Sequence, residues 1–158
     1  MRVDDPDEVE LPAATLLPNG QLLLTGGVGP LSSAELFLRS LPDLKVKITK
    51  VKLKAKITGN KLNVKVTTRN VGTEVISGPV GLSLFLSTDA TLDAEDTLLQ
   101  TLTLTTLEAG QKDRKKFKVL GLGAIGGMFA IVTSDTVADE ERTSNNTVIQ
   151  VIEDNISP

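Results

Sequence analysis

Between residues 44 and 152, apolar and polar side chains alternate in short runs broken by turn residues. A period of two marks strands with one buried face. Leu44, Val46 and Ile48 alternate with Lys45 and Lys47. The parity then flips, and Val51, Leu53, Ala55 and Ile57 alternate with Lys50, Lys52, Lys54 and Lys56. A one-residue slip would turn every later side chain to the wrong face, so the chain must bulge or change sheets near Thr49-Lys50. Gly59-Asn60 predicts a tight turn, and Leu62, Val64 and Val66 a second strand. Five more strands are predicted at 80–86, 97–104, 114–120, 127–133 and 147–152. Seven short strands with turn signals between them predict an all-β, two-sheet antiparallel sandwich with essentially no helix.

The N-terminal part has its own pattern. Residues 13–37 read AATLLPNGQLLLTGGVGPLSSAELF, with two apolar runs flanking Pro18-Asn19-Gly20. Asn and Gly tolerate positive φ, which makes this a strong hairpin signal. Leu41-Pro42-Asp43 is the expected linker, dividing an acidic N-terminus and hairpin (1–42) from the sandwich (43–158). The opening MRVDDPDEVELP is acidic where a signal peptide is basic and then apolar. No apolar run approaches the roughly 18–20 residues of a membrane span.

One motif competes with an all-β reading. Gly121-Leu122-Gly123-Ala124-Ile125-Gly126 matches the dinucleotide-binding G-x-G-x-x-G. That fingerprint needs a helix next and βα units around it. The residues from Met128 onward have a strand pattern instead, so these glycines are expected to join the fifth strand to the sixth.

Composition narrows the chemistry. Four Phe and no Trp or Tyr leave little for stacking on sugars or bases. The absence of Cys excludes disulfides and thiolate metal sites, and the absence of His removes the commonest general base and zinc ligand. No nucleophile–base pair or cofactor loop stands out, so no catalytic residue is assigned and the chain is not expected to be an enzyme. A net charge of −3 offers no bulk attraction to nucleic acid.

Charge placement offers two candidate sites. Asp89, Asp93 and Asp96 share a D-x-x-x-D-x-x-D loop. Closely spaced carboxylates suit calcium, which takes six to eight oxygens; equally, Asp side chains in turns cap backbone amides. A second acidic loop holds Asp135, Asp139, Glu140 and Glu141 and closes on Asn145-Asn146, a pair expected to fix its hairpin. The two loops are expected at opposite ends of the sandwich. The other candidate is basic: Lys50, Lys52, Lys54 and Lys56 on the first strand, Lys65 on the second, and Arg114, Lys116 and Lys118 on the fifth, all projecting outward. With these strands in one sheet, its outer face is a basic plate suited to an anionic polymer such as teichoic acid or an acidic polysaccharide. The plainer reading is solubility, since lysines on exposed sheets discourage aggregation.

The strand-to-loop passages GPVGLSLFLSTDATLDAEDTLL and GMFAIVTSDTVADEERTSNNT resemble CARDB, the cell-adhesion-related domain of bacteria. The resemblance covers about 44–153. It implies an immunoglobulin-like sandwich of secreted and surface proteins, hence an extracellular or cell-surface address and a chain cut from a longer one. The run from Ala13 to Phe37 resembles part of a kelch propeller blade. Together these resemblances imply a structural or adhesive module joined to other domains of a larger surface protein. The alternative is an accessory binding domain of a secreted propeller enzyme, contacting anionic polymer or carbohydrate. One incomplete blade cannot bury its apolar faces alone, so the hairpin is expected either to dock on the sandwich or to drive self-association.

Overall fold

The computed structural model describes residues 13–17, 21–26, 34–37 and 40–153. Two compact units meet between Ser40 and Leu41. The first is a three-stranded antiparallel sheet, β1 (Ala13–Leu16), β2 (Leu22–Thr25) and β3 (Ala34–Phe37), in that spatial order. The expected hairpin is present, paired from Ala13↔Thr25 to Leu16↔Leu22, and β3 extends it from Leu22↔Phe37 to Thr25↔Ala34. The turn residues Pro18-Asn19-Gly20 lie outside the described residues.

The second unit holds seven strands: β4 (Leu44–Lys54), β5 (Asn60–Asn70), β6 (Val80–Ser87), β7 (Thr97–Leu104), β8 (Lys112–Leu122), β9 (Phe129–Ser134) and β10 (Thr147–Val151). They form a three-stranded sheet, β4-β5-β8, and a four-stranded sheet, β10-β9-β6-β7, with every pair antiparallel. No helix occurs among the described residues. This is the two-sheet antiparallel sandwich that the alternation predicts, and it has the first, second and fifth strands in one sheet, as the immunoglobulin-like resemblance implies.

Alternation decides what fills the space between the sheets. Val46, Leu62, Val64, Val66 and Phe117 point inward from one sheet; Leu82, Leu84, Leu104, Ala130 and Val132 point inward from the other. Phe117, Leu62 and Leu84 are completely buried. Burying a side chain of this size stabilises the fold by about 1.5–3 kcal/mol.

The parity flip in the first strand proves to be a bulge. The β4–β5 register shifts between Ile48 and Lys50, leaving Thr49 as the extra residue, and both halves of β4 stay in one sheet. Thr49 anchors the bulge through its hydroxyl, which donates to the Lys65 carbonyl at 3.1 Å. The strand ends sooner than the alternation suggests. Its last ladder pair is Lys54↔Lys61, Ile57 is fully exposed, and Lys56 sits in the turn, where its carbonyl accepts the Gly59 N–H at 3.2 Å. Gly59 is required there: its φ is +102°, and a Cβ would stand 2.9 Å from the Gly121 Cα.

Leu41-Pro42-Asp43 is not a linker but part of the sandwich. The Leu41 carbonyl accepts the Thr73 and Glu74 N–H groups at 2.9 and 3.2 Å, and the Pro42 carbonyl accepts the Glu141 N–H at 2.9 Å. Asp43 is buried beside Asn70, itself completely buried. The Asn70 Oδ1 accepts the Asp43 and Gly72 N–H groups, and its Nδ2 donates to the Glu74 and Leu107 carbonyls at 2.6 and 3.0 Å. All four bonds of a buried amide are thereby satisfied.

The glycine motif joins β8 to β9. Gly121 has φ +74° at a second bulge, where the β5–β8 register shifts between Asn60 and Leu62. The Asn60 Nδ2 reaches across to the Gly123 carbonyl at 2.7 Å. A strand follows instead of a helix, so the local structure a dinucleotide needs is not built.

Candidate functional site

The outer face of the β4-β5-β8 sheet is cationic along its whole length. Reading across the ladders gives Lys45–Arg69–Lys112, Lys47–Thr67–Arg114, Lys50–Lys65–Lys116, Lys52–Asn63–Lys118 and Lys54–Lys61. Twelve of the chain's 17 Lys and Arg residues stand in these rows, and no carboxylate does. Seven of the eight residues expected here are present: Lys50, Lys52, Lys54, Lys65, Arg114, Lys116 and Lys118. Lys56 is displaced by the early end of β4.

Sequence reasoning missed Lys45, Lys47, Lys61, Arg69 and Lys112. The first two depend on the bulge. A change of sheets at Thr49 would have sent them elsewhere, whereas one extra residue returns both halves of β4 to the same outward parity. Lys61 and Arg69 share the parity of Lys65, and Lys112 that of Arg114, so extending each strand's alternation to its ends would have found them.

Like charges directly opposite one another destabilise a sheet. Lys50↔Lys65, Lys65↔Lys116, Lys54↔Lys61, Lys45↔Arg69 and Arg69↔Lys112 are all such pairs. The field acts on Lys116, whose ammonium is held below the ordinary lysine range. Desolvation among its neighbours is the larger cause, followed by repulsion from Lys118, Lys65, Lys61 and Lys54. Lys115, one residue along, has the opposite parity and pairs with Asp113 at 3.1 Å.

Two hollows lie on this face. One, of about 280 Å³, is lined by Lys50, Lys52, Lys54, Lys61, Asn63, Lys65 and Lys116. The other, of about 460 Å³, is lined by Thr49, Lys65, Val66, Thr67, Arg114, Lys115 and Lys116. The other sheet's outer face differs: a row Leu98–Phe85–Ile131–Ile149 crosses all four strands, with Leu98 and Ile149 more than a third exposed. The basic face thus belongs to one sheet and is not a general property of the surface.

The acidic loops do other work. In the 89–96 loop each carboxylate caps a backbone amide: Asp89 accepts from Thr91 at 2.7 Å, Asp93 from Glu95 at 2.9 Å and Asp96 from Asp93 at 3.1 Å. The three are not brought together, and no cluster of three His, Cys, Asp or Glu able to hold a metal occurs among the described residues. The 135–146 loop lies at the other end of the sandwich, because β9 runs antiparallel to β6 with Ser134 opposite Leu82 and Phe129 opposite Ser87. It clasps the start of β4. Glu140 takes the Leu44 N–H and the Asn146 Nδ2, and the Asn145 Nδ2 donates to Asp43 at 2.7 Å. The Asn pair therefore ties its hairpin to the first strand as well as closing it.

No protein-family model matches the chain, and no curated protein matches it. Among the solved structures to parts of which it is similar are several β-glucosidases. One from Listeria innocua, in complex with isofagomine, is 17% identical over 74% of this chain and 17% of that one, with a TM-score of 0.46. One from Paenibacillus barengoltzii is 17% identical over 84% of this chain and 14% of that one, at 0.47. One from Kluyveromyces marxianus, in complex with glucose, is 15% identical over 82% and 15%, at 0.43. The chain spans less than a fifth of the length of each.

Proposed function

We propose that this chain is a non-catalytic adhesive module of a bacterial secreted or cell-surface protein, and that the outer face of its three-stranded sheet makes contact with an anionic polymer. The observation that carries this reading is the set of five cationic rows without a carboxylate. A face that served only solubility would mix both signs, which keeps a protein dissolved without opposing like charges across its ladders. The resemblance of 44–153 to CARDB supports the surface address. The test is retention on immobilised dextran sulfate against neutral dextran. Retention at low salt that weakens steeply as salt rises is expected, and Lys65→Glu with Lys116→Glu should abolish it. Failure to bind at low salt would leave a structural spacer.

A second reading, an accessory domain of a secreted propeller enzyme, is favoured by one feature. The first unit is a three-stranded antiparallel meander, the kind of element a propeller blade is built from. In that case the catalytic residues belong to other parts of the parent protein.

A further inference from the structure

We infer that the cationic face is a track for one extended chain of an acidic polysaccharide, which lies along β5 and seats its polar groups in two hollows, one lined by Asn63 and the other by Thr67. This rests on reading the face as a polymer contact and specifies how the polymer is held.

The three strands do not contribute equally. Along β4 and β8 the outward positions carry Lys or Arg without interruption from Lys45 to Lys54 and from Lys112 to Lys118, Thr49 at the bulge aside. Along β5, between them, cationic and neutral residues alternate: Lys61, Asn63, Lys65, Thr67, Arg69. Neighbouring strands stand about 4.8 Å apart, so the two cationic rails are roughly 10 Å apart, the width of a single polymer chain. Asn63 lies between Lys52 and Lys118, and Thr67 between Lys47 and Arg114. Asn63 lines one hollow and Thr67 the other, and Lys65 and Lys116 line both. Four residues of strand separate Asn63 from Thr67 by about 13 Å.

This arrangement selects among anionic ligands. A small oxyanion would fill one hollow and leave the rest of the face unused, whereas the cations continue along the strands past both hollows, from Lys45 to Lys54 and from Lys112 to Lys118. These rows carry no apolar or aromatic side chain to enter a membrane interface, and Leu120, near the end of β8, is exposed beyond them, so a lipid surface would be held by charge alone. The side chains of Asn63 and Thr67 make no hydrogen bond within the described structure and are both partly accessible. An amide and a hydroxyl between cations suit a polymer that carries hydroxyls beside its anionic groups.

The test uses the full chain and fluorescently labelled sulfated oligosaccharides of two lengths, a disaccharide and an octasaccharide, with anionic phosphatidylserine vesicles as comparator. The octasaccharide should bind on the order of a hundredfold more tightly than the disaccharide, which cannot reach both hollows. Asn63→Leu and Thr67→Leu keep every charge, and each removes the neutral polar group of one hollow. Either should weaken octasaccharide binding about tenfold and leave its salt dependence unchanged, while Lys65→Gln with Lys116→Gln should reduce that dependence. Thermal melts of each variant establish that it is folded, and two separate hollows guard against the loss of one variant. If both Leu variants bind like the parent, the face acts as diffuse charge: the track is wrong and the polymer contact stands. If no oligosaccharide binds at low salt, the polymer contact itself fails. Equal or tighter binding to vesicles, weakened by the same Leu substitutions, would overturn the polysaccharide in favour of a lipid surface.

Discussion

Glu140 accepts the backbone N–H of Leu44 at 2.7 Å through Oε1 and the Asn146 amide at 2.6 Å through Oε2, so one carboxylate joins the last hairpin to the first residue of the first strand. Leu44 and Asn146 are both buried, and water cannot readily replace what Glu140 supplies. Glu140→Ala should cost about 2–3 kcal/mol, the usual scale for hydrogen bonds to a charged group. Glu140→Gln should cost less, because Asn146 can turn its amide over and accept from the new side chain. Urea midpoints at an unchanged m-value check both.

Lys116 gives a prediction in pH. Its native-state pKa lies below the ordinary lysine value, so between the two the unfolded chain binds more protons. Stability then rises with pH in the alkaline range as Lys116 loses its proton, and the full penalty is present at neutral pH. Lys116→Gln should therefore stabilise the protein at neutral pH and low salt. The advantage should shrink as salt screens the neighbouring lysines, and again as pH climbs toward about 10.4. Thermal melts of both proteins across pH and salt would show it; a less stable variant at neutral pH and low salt would refute it.

The 89–96 loop offers a choice between capping and metal binding. Asp93 holds the Glu95 N–H at 2.9 Å, so Asp93→Ala should cost about 1 kcal/mol with no metal added. Millimolar calcium should leave the melting temperature of the parent unchanged. A rise that Asp93→Ala removes would instead mark a site specific to the folded state.

Cutting the chain at two neighbouring points separates the units. Leu16 and Leu36 are 72% and 51% exposed on the first sheet, an apolar surface that invites pairing with another copy. Removing 1–40 should leave the sandwich folded and more monodisperse by light scattering. Removing 1–42 also takes the carbonyls that receive Thr73, Glu74 and Glu141, and should cost roughly 1–3 kcal/mol more. If the first deletion prevents folding, the N-terminal sheet is integral to the sandwich.

The strands were legible because a half-buried strand writes its burial into every second residue. The basic plate was legible for the same reason wherever the parity held. Lys45 and Lys47 were lost at Thr49, since a parity flip alone does not distinguish a bulge from a change of sheet. Leu41-Pro42-Asp43 was misread because Pro followed by Asp is a common turn signal. The Asp43 carboxylate is held by the amide of Asn145, 102 residues away, and no local pattern reports a partner at that distance. The roles of Asp89, Asp93 and Asp96 were open in sequence because a capping Asp and a metal-binding Asp occupy the same kind of turn; only the direction of each carboxylate separates them.

The clasp at Glu140 also bears on how the sandwich would carry load. The chain enters at Leu41, and it leaves beside Gly127, whose N–H meets the Ile152 carbonyl at 2.9 Å at the far end of the sheets. β4 and β10 run the same way between these ends, joined where the Val46 N–H meets the Asn145 carbonyl at 3.0 Å. A pull on the two ends would slide these strands along each other instead of peeling one away. The links from Leu44 to Glu140, Pro42 to Glu141 and Asp43 to Asn145 lie across that motion and would be strained together, as a lap joint resists where a zipper opens.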